Sequence, residues 1–92
     1  MAQVVQPDGI IFDVEPRNGQ SYSLEEIQEY IGGYFQEVHL PRSEDYIGFH
    51  VMLCDEDGIQ KNLQVNMYAS IIAHQTIVGN IMTVRRCGEE YV

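Results

Sequence analysis

The chain has 92 residues, 45% of them apolar, and sets fourteen acidic side chains against five basic ones for a net charge of −9. That length holds one domain with an adequate but small core, and that composition is globular, not disordered. One Lys and four Arg are too few to displace counterions along a phosphate backbone, which excludes direct DNA or RNA binding in that mode.

In chain order, Pro7-Asp8-Gly9 is a turn signal, so residues 1–9 read as a loose N-terminal arm or an added edge strand. Ile10, Phe12 and Val14 then alternate with Ile11, Asp13 and Glu15, the pattern of a half-buried strand. Pro16-Arg17-Asn18-Gly19 breaks it, since Asn-Gly readily takes the positive φ of a tight turn. Gln20 to Tyr22 can return briefly as a second strand. Ser23 is placed to cap a helix, and Glu26, three residues on, completes a capping box. Leu24, Ile27 and Ile31 share one helical face while Glu25, Gln28 and Glu29 face water. Gly32-Gly33 stops the helix, one of the two in the left-handed conformation.

Tyr34 to Leu40 reads as a strand with Tyr34, Gln36, Val38 and Leu40 on one side and Phe35, Glu37 and His39 on the other. A loop over Pro41–Asp45 leads to a strand over Tyr46–Cys54 with the apolar face Ile47, Phe49, Val51, Leu53. Asp55-Glu56-Asp57-Gly58 is a turn, and Ile59–Val65 a short strand or irregular link. Asn66 caps a second helix running to His74, too brief to stand without packing on the sheet. Thr76 to Val84 is nearly all apolar, as a central strand covered on both faces should be. Residues 86–92 leave the fold as a polar tail.

Little of this carries chemistry. The acidic turn at 55–58 lacks the distal Glu of a calcium loop. His39, His50 and His74 have no metal-ligand spacing, and Cys54 and Cys87 share no motif and read as free thiols. No nucleophile stands beside a base, and Ile31-Gly32-Gly33-Tyr34 closes a helix where a phosphate cradle would open one. The expectation is a non-enzyme with no metal and no cofactor. Met1 to Pro7 lacks the charge and apolar run of a signal peptide, and no stretch reaches membrane length, so a soluble cytoplasmic protein is expected. Arg85 and Arg86 stand together where the most buried strand emerges, in a chain short of cations. Alternation sends them to opposite faces, so one can reach a pocket beside the second helix and serve a phosphate as bidentate donor. Asn66, at a helix start, offers an amide and neighbouring backbone N–H groups to the same anion.

Three blocks together resemble a family of small proteins carried by bacteriophages and mobile elements, the domain of unknown function 3846. They are Leu24–Val38 with its helix, Gly-Gly-Tyr and strand; Asp55-Glu56-Asp57-Gly58; and Asn66–Val84 with Asn66, Ala69 and Ile77-Val78-Gly79-Asn80. The likeness spans roughly residues 10–85. The chain departs from it at Leu63-Gln64-Val65, where members tend to carry a proline before the equivalent of Asn66, and in a shorter first hairpin. The resemblance implies a phage or plasmid setting, where compact acidic proteins counter host defence. Two routes follow from it. One is sequestration of a small nucleotide signal in a pocket between subunits of a homo-oligomer, with Arg85, Arg86, Asn66, Tyr34, Tyr68 and His74 as the candidate ligand set. The other is an acidic inhibitor or nucleic-acid mimic that binds a host defence protein directly.

The fold expected is α+β: a mainly antiparallel sheet of about four or five strands, with two short helices packed mostly on one face, in one domain spanning 1–92 with its core at 10–85.

Overall fold

The computed structural model describes residues 2–40 and 49–92. It is α+β, with β1 (Ala2–Val5), β2 (Ile11–Val14), α1 (Leu24–Ile31), β3 (Phe35–His39), β4 (Phe49–Asp55), α2 (Met67–Ala73), β5 (Ile81–Cys87) and β6 (Glu90–Tyr91). The strands form one six-stranded sheet in the order β2-β1-β5-β4-β3, with β6 also on β5. Every pairing is antiparallel.

α1 forms where its capping signals place it. The Ser23 hydroxyl accepts from the Glu26 N–H at 3.1 Å, and the Glu26 carboxylate accepts from the Ser23 N–H at 3.2 Å and from the Arg17 N–H at 3.0 Å. Gly32 ends the helix at φ 95°, a conformation that would strain any side chain. Burial alone would raise the Glu26 carboxyl, but the N–H groups of Arg17 and Ser23 and the Arg17 cation outweigh it and hold the group below its ordinary 4.5. Its contribution is therefore complete above that value and lost as the pH falls through the lowered one. Glu26→Ala should cost about 2 kcal/mol at neutral pH. Urea midpoints of variant and wild type should converge below about pH 4.

Alternation along the strands sorts the interior into two layers. Ala2, Val4, Val51, Leu53, Met82 and Val84 point to one side and pack with Ile27 and Ile31 of α1. Val5, Val38, Met52, Cys54 and Ile81 point to the other and pack with Ala69 and Ala73 of α2. The helices thus cover opposite faces, not one face as expected. The reason is that β4 and the start of β5 are apolar at successive positions, which demands cover on both sides. Leu24, assigned above to the buried stripe, is exposed at the helix start.

The two ends of the chain also correct the reading. Ala2–Val5 is no loose arm: β1 lies between β2 and β5, and Ala2, Val4 and Val5 are buried. Pro7-Asp8-Gly9 is the turn of a β1–β2 hairpin, with the Gly9 N–H on the Gln6 carbonyl at 3.0 Å. Nor is β1 the edge strand offered as the alternative, because it is paired along both sides, with β2 and with β5. Residues 86–92 are no tail either. Gly88, at φ 64°, turns the chain back so that Arg85 and Val92 exchange backbone bonds at 3.0 and 2.7 Å. The Tyr91 ring packs edge-on against Phe35, 5.9 Å between centroids. Gln20–Tyr22 contributes a single bridge, Tyr22 to Tyr91.

β5 begins at Ile81, later than the apolar run suggests, because Gly79 takes φ 79° and breaks the extended chain. Residues 76–80 instead tie α2 down. The Asn66 side chain accepts from the Ala69 N–H at 3.1 Å and donates to the carbonyls of Val5 at 3.1 Å and Gly79 at 3.0 Å. The loop expected over Pro41–Asp45, and Tyr46 and Ile47 of the following strand, lie outside the described residues.

Candidate functional site

α2 has seven residues, about 10 Å of helix, and Asn66 pins it over the end of the sheet where β1 finishes and β5 begins. The other half of that sheet face has no helix above it among the described residues. Side chains that α2 does not reach follow the same alternation as its core: Gln3 of β1, Asp13 of β2, Thr83 and Arg85 of β5, and His50 of β4. Register places them in two rows, Asp13–Gln3–Thr83 and His50–Arg85. Directly opposed residues of this kind hold their Cβ atoms about 5 Å apart. These residues line a cleft of about 350 Å³ with Val92 at its margin.

Polarity in the cleft is mixed. The Gln3 amide donates to the Asp13 carboxylate at 3.2 Å. Thr83 supplies a hydroxyl, His50 an imidazole and Arg85 a guanidinium. Elsewhere among the described residues, Arg17 pairs with Glu29, Lys61 with Asp55 at 2.7 Å, and Arg86 with both oxygens of Glu37 at 3.0 and 2.8 Å. Arg86 also donates from Nε to the Gly88 carbonyl at 3.0 Å. It lies on the α1 side of the sheet, opposite Arg85, as alternation requires.

The six residues expected as one ligand set are not brought together. Arg85 lines the cleft. Asn66 is buried beside Gly79 with both amide donors used; six residues of nearly extended chain, about 20 Å, separate Gly79 from Arg85. Its N–H groups head a helix too short to serve as an anion site. Tyr34 is exposed at the start of β3, where its carbonyl accepts from the Glu56 N–H at the far end of β4. Tyr68 is exposed on α2, and His74 is its left-handed C-cap. Sequence reading missed Gln3, Asp13, Thr83 and His50. The histidine carried a signal, being the polar interruption of an apolar strand; the others needed the pairing of β1 with β5.

A second cleft, of about 360 Å³, lies at the opposite end of the sheet between Gln36, Cys54, Asp55, Gln60, Gln75 and Thr76. Burial raises the Cys54 thiol, so it is neutral and a poor nucleophile. Among the described residues no group of three or more His, Cys, Asp or Glu is placed to hold a metal ion. No helix among the described residues is long and apolar enough to cross a membrane.

A family model described as a domain of unknown function (DUF3846) matches residues 2–92. That span includes β1 and β6, beyond the 10–85 expected from the motifs. No curated protein and no solved structure matches the chain.

Proposed function

The chain belongs to the DUF3846 family, and on that premise we propose that it is a non-enzymatic binding protein that takes a small, phosphate-bearing nucleotide at the open sheet face. In this reading the protein is of phage or mobile-element origin. It acts in the cytoplasm of a bacterial host and withholds a nucleotide signal from a defence system. One observation carries the reading: a chain of net charge −9 sets an arginine and a histidine side by side in a cleft that also holds a hydroxyl and an amide, with the Asp13 carboxylate at the far side taken up by the Gln3 amide. Arg85 is the phosphate ligand, as a fork of N–H donors that stays charged. His50 and Thr83 add donors beside it, and Gln3 reads the sugar or base. At about 350 Å³ the cleft sits at the small end of ligand sites and suits a single nucleotide unit.

The alternative, an acidic surface that mimics nucleic acid toward a host protein, is less well supported. Exposed carboxylates are scattered over the described surface, with Asp8 and Glu56 at one end of the sheet, Glu89 and Glu90 at the other, and Glu25 and Glu29 on α1.

Native mass spectrometry and thermal shift with cyclic nucleotides and ADP-ribose derivatives test the proposal. Wild type should gain mass in ratio to subunits and melt higher. Arg85→Ala should weaken binding at least about tenfold, the loss of one charge-assisted bond. Arg86→Ala, on the opposite face, should bind as wild type does. A wild type that binds nothing across the panel, or an Arg85→Ala variant that binds equally well, overturns the reading.

A further inference from the structure

α2 is apolar on both sides. Ala69 and Ala73 face the sheet, while Met67, Tyr68 and Ile71 on the outer side are 65%, 49% and 69% exposed. Val65, just before the helix, is exposed as well. A helix that is apolar all round is normally covered all round. α1 shows the contrast within the same molecule, since its outer face carries Glu25, Gln28 and Glu29. Ile11 of β2 extends the patch: it pairs with Val5, points to the α2 side and is exposed.

Charge says what covers this face. From Asn62 to Val84 the chain has no Asp, Glu, Lys or Arg, in a protein of net charge −9. A foreign partner attracted by the acidic surface would be steered to the carboxylates, not here. A second copy meets the opposite constraint. It carries the same −9, so it is repelled wherever acids face acids and can approach only where charge is missing. A two-fold axis through the patch makes it self-complementary, as closed dimers require. We infer that the outer face of α2, with Val65 and Ile11 beside it, is the interface between two copies of this chain. The inference does not rest on the nucleotide reading.

The patch centres on one seven-residue helix, about 10 Å long, which is small beside the roughly 800 Å² that each partner gives to a standard interface. The dimer should therefore be weak and form only at raised concentration. It should also strengthen with salt, because salt screens the repulsion between acidic copies and leaves an apolar contact intact.

Sedimentation velocity across a concentration series at low and high salt tests this. Wild type should form a dimer whose share rises with salt. Ile71→Glu places a charge at the centre of the contact and should raise the dissociation constant at least about a hundredfold. Its melting temperature at monomeric dilution should match wild type, since the side chain is exposed there. Leu24→Glu, at another exposed apolar position, on α1, should dimerise normally. A wild type monomeric throughout overturns the inference and leaves the face to a foreign partner. So does a dimer that survives Ile71→Glu, or one that Leu24→Glu also abolishes.

Discussion

Asn66→Asp should destabilise the fold at neutral pH at least as much as Asn66→Ala, although aspartate caps helices as well as asparagine does. The alanine variant loses the acceptor for the Ala69 N–H and leaves the Val5 and Gly79 carbonyls without their donors. A lost cap and two unsatisfied buried carbonyls together cost about 3 kcal/mol. Aspartate restores the cap but puts an oxygen where Asn66 Nδ2 now stands, 3.1 and 3.0 Å from two carbonyl oxygens. The carboxylate is then either a buried charge facing like dipoles or a group forced to take up a proton. Its folded value would lie above the unfolded one, so the penalty grows as pH rises through that interval and relaxes on acidification. Urea unfolding of both variants at pH 7 and pH 5 reads this directly. An aspartate variant as stable as wild type would reduce Asn66 to a cap and remove its role in joining α2 to two strands.

Deleting residues 1–6 should abolish cooperative folding. Val4 and Val5 are 1% and 0% exposed, and burying a valine contributes roughly 1.5–3 kcal/mol. The deletion also strips β5 of a partner from Ile81 to Thr83, isolates β2, and removes the Val5 carbonyl that Asn66 holds. Losses of that sum rival the whole stability of a small domain, about 5–15 kcal/mol. Circular dichroism should show no sigmoidal thermal transition. A melting temperature within a few degrees of wild type would mean instead that the segment is a dispensable arm.

Legibility followed the range over which each feature is determined. α1 was readable to the residue because Ser23, Glu26 and Gly32 act within a turn of where they stand. The cap and end of α2, and the turn at Asp55–Gly58, were readable for the same reason. The place of β1 was not, since an edge strand was only one of two readings and its position inside the sheet depends on Met82 and Thr83 at the other end of the chain. The cleft was half legible. Arg85 stood out by scarcity of cations, but its neighbours come from three other strands, and only register says which. Arg86 looked equivalent, and what sets it apart is the face of the sheet it takes, on the α1 side beside Glu37, 49 residues away. The grouping of Asn66 with the arginines failed because a strand separates residues that the sequence sets close.

The central place of β1 has a consequence for how the chain comes together during synthesis. Gln3 and Thr83 are opposed in the sheet and 80 residues apart along the chain. While the ribosome is still short of β5, the β1–β2 hairpin, α1 and the β3–β4 pair exist only as separate pieces, with Val4 and Leu53 uncovered. Closing so long a loop is a slow event compared with forming any one piece. A nascent chain stalled in that interval would present two unpaired strand edges, the feature that most invites aggregation or capture by a chaperone.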